Sequence, residues 1–142
     1  MAEVKIPEIR TVTYSGVVSV PPNVTTPLFE KQLGLVEKFF PISLEITAPN
    51  DITIVLLRTI KGAEQDLVTF LSQFSPIDFN IPDINITTKK MSNSDIVEIP
   101  NLAAKGFPEV DFGQKVILRA NHSLVGSQNV SYKLKGILVI YR

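Results

Sequence analysis

The chain has 142 residues, no cysteine, fourteen Lys plus Arg against fourteen Asp plus Glu, 44% hydrophobic and 20% charged residues. That length suits one domain with a packed core, and the composition is close to the soluble globular average. The balanced charge excludes a strong electrostatic footprint for nucleic acid or anionic lipid, and the absence of cysteine excludes disulfides, a thiolate nucleophile and a Cys-based zinc site.

The first nine residues stand apart. Val4, Ile6 and Ile9 alternate with charges around Pro7, which predicts an extended arm over 1–9 that either starts the sheet or reaches a neighbouring molecule, followed by a single β domain over 10–142. This segment lacks the charged and continuous apolar regions of a signal peptide, and no apolar run approaches the roughly 18–20 residues of a membrane helix. The protein is therefore expected to be soluble as made. Ten prolines and many β-branched residues spread along the chain favour short strands separated by turns.

From Arg10 to Val20 a strand is predicted, with Val12 and Tyr14 offset from Val18 and Val20 around a bulge at Gly16. Pro21-Pro22-Asn23 ends it. Thr26-Pro27 has the capping chemistry to start a short helix carrying Leu28, Phe29 and Leu33. Ile42, Leu44 and Ile46 alternate with Ser43, Glu45 and Thr47, the period of a half-buried strand. Ala48-Pro49-Asn50-Asp51 is a turn sequence, and Ile52 to Ile60 reads as the return arm of a hairpin. Within it Ile54-Val55-Leu56-Leu57 is apolar on both faces, as in a central strand.

One short helix is predicted near 63–74, because Leu67, Phe70, Leu71 and Phe74 fall at spacings of three and four, Glu64 and Asp66 occupy the first turn, and Ser75-Pro76 stops it. Ile77 to Ile99 reads as two short edge strands divided by Pro82, with Ile96 to Ile99 a further short strand. Lys115 to Asn121 and Val130 to Tyr141 read as a second hairpin joined through Gly126-Ser127-Gln128-Asn129. The run Ile137-Leu138-Val139-Ile140 should lie deep in its sheet, and Gly136 marks a bulge or a close backbone approach. The fold class is all-β, a mainly antiparallel β-sandwich or jelly-roll-like domain with that one helix.

Chemistry is sparse. The single histidine, His122, has no nucleophile elbow to serve and no companion ligands for zinc, so a structural role is expected. Asp78, Asp83, Asp95, Glu98, Glu109 and Asp111 are scattered on turns, and nothing in their spacing brings two of them to the separation glycoside hydrolysis requires. Asp78, Asn80, Asp83 and Asn85 offer oxygen ligands at short intervals without the pattern of a calcium loop. Lys89-Lys90 is an isolated basic doublet. Four Asn-x-Ser/Thr sequons, at Asn23, Asn85, Asn121 and Asn129, fit an Asn- and Thr-rich β surface. Phe107 and Phe112 sit in a Gly/Pro-containing loop, where they read as a plug in the mouth of the sandwich in preference to a binding tip. No enzyme, cofactor or metal is implied.

The arm Glu3-Val-Lys-Ile-Pro-Glu-Ile-Arg10, the segment Ser-Val-Pro-Pro-Asn-Val-Thr-Thr from Ser19, and the closing Val130-Ser-Tyr-Lys-Leu-Lys-Gly-Ile-Leu-Val-Ile-Tyr-Arg142 together resemble, in type, small structural proteins of bacteriophage and archaeal virus particles. That resemblance implies a capsid, decoration or tail component in the virion, a symmetric homo-oligomer whose partners are other structural subunits of the same assembly. Val4, Ile6, Pro7 and Ile9 are the expected subunit contacts. The rival expectation is a carbohydrate-binding or adhesin-like sandwich, for which exposed aromatics would be the signature.

Overall fold

A computed structural model describes residues 8–74, 76–78 and 108–141. They form eight strands: β1 (Glu8–Val20), β2 (Thr26–Gln32), β3 (Glu37–Thr47), β4 (Thr53–Ile60), β5 (Ala63–Leu71), β6 (Ile77–Asp78), β7 (Lys115–Asn121) and β8 (Gln128–Ile140). Two antiparallel four-stranded sheets result, one in the order β1-β8-β3-β6 and the other β2-β7-β4-β5. The pairing is nested. β4 pairs with β5, β3 with β6, β2 with β7 and β1 with β8, so the chain behaves as one long double-stranded ribbon folded over itself. The pairs β3–β8 and β4–β7 then close each sheet.

Between the sheets lies a core built from Phe39, Leu44, Ile54, Leu56, Val116, Leu118, Val130, Leu134 and Leu138, with Tyr14, Phe29 and Tyr132 packed at its margin. Tyr14 stacks on Phe29 at 4.6 Å between centroids, which fills the gap between β1 and β2. Near the start of β1 the outer face of its sheet is apolar as well: Ile9 opposite Val139 and Phe40 opposite Ile137 are all buried. The deep position expected for the closing strand is observed, since β8 lies between β1 and β3. β4 is likewise interior, between β7 and β5.

The helix expected near 63–74 is instead strand β5 followed by one 3-10 turn, Ser72–Phe74. Two local causes explain this. Lys61 and Gly62 both have positive φ, 51° and 82°, the backbone of a two-residue turn that returns the chain alongside β4 with Ile60 opposite Ala63. The ladder then skips Leu67, because Leu56 pairs with Val68 and Leu57 with Asp66. An extra residue in a strand breaks the period of two, and the broken period imitates helical spacing. The helix expected at Thr26-Pro27 is also a strand, β2, whose ladder skips Leu28.

The two expected hairpins are not hairpins. β3 and β4 lie in different sheets, as do β7 and β8, so the turn sequences after Thr47 and Asn121 carry the chain across the sandwich. Ser72 ties the first crossing, donating its Oγ hydrogen to Pro49 O (2.6 Å) while accepting from Ile52 N (3.3 Å). At Gly16 the β1–β8 register runs unbroken, so no bulge is present; the Tyr132 ring lies over the glycine instead. At Gly136 the close approach is observed, while the bulge lies in the partner strand and not in β8. A side chain there would run into the buried Phe39 ring, and opposite it the β3 ladder skips Ile42 beside Pro41. The strands expected beyond residue 78 and up to Ile99 lie outside the described residues.

Candidate subunit-contact surfaces

Val4, Ile6 and Pro7 of the expected arm lie outside the described residues, whereas Ile9 is in β1, buried against the outer face of its sheet opposite Val139. The described chain begins at Glu8, which pairs with Ile140, and Glu37 pairs with the same residue from the other side. At that end three backbone links join the turns: Leu33 N to Gln114 O, Gly113 N to Gly34 O and Tyr141 N to Val36 O, all between 2.8 and 3.1 Å. Leu35 is 85% exposed and Phe112 41%, with Phe112 set edge-on to Tyr141 at 5.4 Å. Phe112 thus projects from the end of the sandwich instead of plugging it. Phe107 is outside the described residues.

Lys38 organises the polar part of this end. Its ammonium lies 3.4 Å from Glu109 and 3.6 Å from Asp111, and 4.9 Å from the Phe112 ring centroid. Burial disfavours its charge, but the two carboxylates outweigh that and raise its pKa above the ordinary lysine value. Two of the six scattered acids are thus brought together, on a shared cation. Each carboxylate places one oxygen near the ammonium, and the shared cation ties the 109–111 segment to β3.

At the opposite end His122 is buried, with Nε2 2.7 Å from Val20 O and Nδ1 accepting from Leu124 N at 3.1 Å. Nδ1 must be unprotonated to accept, so Nε2 carries the hydrogen. The ring pins the 122–124 turn to the end of β1, which is the structural role expected. Asn23 has φ 61° in a turn, Asn121 donates to Thr25 Oγ1, and Asn129 pairs with Ser19, so three of the sequon asparagines serve turns and strands.

On the outer face of the second sheet, Thr25, Thr53, Val55, Leu57, Asp66 and Arg119 border a shallow cavity of about 220 Å³. Arg119 is held by both oxygens of the exposed Glu64, and that hydrogen bonding lowers the Glu64 pKa. The guanidinium is therefore committed within the sheet. Among the described residues no group of three His, Asp or Glu is placed to hold a metal ion, and no helix is long and apolar enough to cross a membrane. Of the oxygen-bearing run Asp78, Asn80, Asp83 and Asn85, all but Asp78 lie outside the described residues.

The sheet edges differ in a way the sequence alone did not reveal. β2 carries Pro27, Glu30, Lys31 and a skipped ladder position. β5 carries Glu64, Asp66 and another. β6 has two residues. β1 has thirteen residues in unbroken register with no proline, and no charge from Thr11 to Val20.

No protein-family model matches the chain, and no curated protein matches it. Among solved structures the chain is similar to one from infectious bursal disease virus, Gt strain, at 13% identity and a TM-score of 0.42, covering 95% of this chain and 33% of that one. It is also similar to one from the Gx strain, at 14% identity and a TM-score of 0.40, covering 95% and 32%. The chain spans about a third of the length of the viral chains it matches.

Proposed function

We propose that this protein is a non-enzymatic structural subunit of a virus particle, acting in the virion through contacts with other copies or other subunits. The observation that carries the reading is the nested strand order. Strands paired first with last, second with seventh, and so inward support reading the sandwich as a jelly roll, an architecture of viral capsid and lectin domains and of cupins. Val4, Ile6 and Pro7 precede the buried Ile9 in sequence, and we propose them as contacts to a neighbouring subunit. A stretch of seven residues can span at most about 25 Å, a length sufficient to contact an adjacent subunit.

The lectin use of the same winding keeps carbohydrate binding as the rival. Phe112, exposed beside Tyr141, is the feature that favours it. Light scattering and electron microscopy of the purified chain separate the two. Oligomers, rings or particles that shrink when residues 1–7 are deleted are expected. A chain that stays monomeric at every concentration and binds glycans through Phe112 would overturn the proposal.

A further inference from the structure

On the outer face of the second sheet we infer a binding site for one neutral hexose unit of a glycan, in the cavity bordered by Thr53, Asp66, Arg119 and Asn121 over Val55 and Leu57. This goes beyond the subunit role and does not depend on it. The strand period of two turns Thr53, Val55 and Leu57 of β4 to one face. The ladders then set Asn121 beside Thr53, Arg119 beside Val55 and Asp66 beside Leu57. The last placement depends on the irregularity in β5. In an unbroken register the residue opposite Leu57 would be Leu67, next to the Leu56–Val68 pair; the skip at Leu67 brings a carboxylate there instead. Bulges often re-aim a side chain beside a functional site in this way.

The polar groups divide into engaged and free ones. Both oxygens of Glu64 hold the Arg119 guanidinium, and Asn121 Nδ2 donates to Thr25 Oγ1 at 3.0 Å, which leaves Asn121 Oδ1 as an acceptor. Among the described residues no hydrogen bond or ion pair engages the Thr53 hydroxyl or the Asp66 carboxylate. With Glu64 balancing Arg119, the surplus charge at the cavity is that of Asp66. A negative site disfavours sialylated, sulfated or phosphorylated ligands, and the described lining holds no aromatic ring for a nucleobase. It suits hydroxyls. Adjacent sugar hydroxyls can donate to the two carboxylate oxygens, the Thr53 hydroxyl both donates and accepts, and Val55 and Leu57 offer an aliphatic floor for the C–H face of a pyranose. A cavity of about 220 Å³ is smaller than the roughly 300–1,000 Å³ that drug-sized ligands occupy, so it takes one ring. An aliphatic floor gives less contact than an aromatic one, and binding in the millimolar range is expected.

Methyl glycosides of glucose, galactose and mannose, titrated to tens of millimolar into the full chain, test the site through backbone amide shifts in two-dimensional NMR. Shifts are expected at 53–57, 66 and 119–121, with one sugar preferred. Asp66→Asn keeps the shape and removes the charge, and should weaken binding about 10-fold, the worth of a hydrogen bond to a charged group. Thr53→Val should weaken it about 3-fold. Asp66 is exposed and Thr53 half-buried, so both variants should melt as the parent does. Phe112→Ala should leave binding unchanged. The absence of shifts with every sugar, equal affinity in Asp66→Asn, or tighter binding of sialyllactose than of the neutral glycosides overturns the site and leaves the subunit role standing. Binding lost in Phe112→Ala but kept in Asp66→Asn overturns the site in favour of the exposed end; if the parent chain is also monomeric, the subunit role falls with it.

Discussion

Gly136→Ala is the severest test of the packing described above, although it adds a single methyl group. The new Cβ would lie closer than 3.0 Å to Cε2 and Cζ of Phe39 and 2.9 Å from the carbonyl oxygen of Phe40. Phe39 is fully buried, its ring 6.2 Å from that of Tyr14, and its backbone exchanges hydrogen bonds with Val110 at 2.8 and 2.9 Å. Neither the ring nor the carbonyl has room to retreat. Overpacking costs about 1–3 kcal/mol, offset by roughly 0.5 kcal/mol from the stiffer unfolded chain. With one obstacle in the backbone, the upper part of that range applies. We expect a loss of about 2–3 kcal/mol in urea unfolding, and a melting temperature lower by about 5–10 °C at this chain length. Phe39→Leu removes the ring atoms, so the double variant should be more stable than the sum of the single losses by about 1 kcal/mol. A single variant within about 0.5 kcal/mol of the parent, or strict additivity, would refute this account of Gly136.

Three further predictions concern turns and ends. His122→Ala leaves Val20 O and Leu124 N–H without the partners the ring supplies, and should cost about 2–4 kcal/mol in the same urea assay. Alkaline titration of the melting temperature should show stability complete below the ordinary lysine value of 10.5 and declining as pH rises through the raised folded value of Lys38. Tyr14 and Tyr141, both raised by burial first, weaken the fold in the same direction from their ordinary value of 10.0 upward. Lys38→Met should remove the lysine part of the decline and leave the tyrosine part; an unaltered profile would exclude the ion pairs as its source. Lys61→Asn, at φ 51° before Gly62, should stabilise the β4–β5 turn by up to about 1 kcal/mol, read as a higher urea midpoint.

Much of the fold was legible where the signal is local. The two-sided apolar run Ile54-Val55-Leu56-Leu57 and the closing Ile137-Leu138-Val139-Ile140 sit in interior strands, as such runs must if both faces are to leave water. Pairing partners were not legible. A five-residue turn between Thr47 and Thr53 looks the same whether it returns the chain beside itself or carries it to a second sheet, because the choice is made by distant strands. The skipped residues Ile42 and Leu67 have no signature either, and each changes which side chains share a face. At Leu67 that change disguised a strand as a helix. Lys38 meets Glu109 and Asp111 through the isolated bridge Phe39–Val110, which no local pattern announces.

The first-with-last pairing of the strands sets a timetable for the newborn chain. A ribosome adds about 5–20 residues per second, so Val12 waits on the order of ten seconds before its partner Gly136 exists. Through that interval the uncharged stretch of β1 from Thr11 to Val20 lacks its strand partner on a crowded polysome, with sister chains at the same stage beside it. Folding can begin at the β4–β5 turn and spread outward, but the outermost rung closes last, after translation has passed the whole domain.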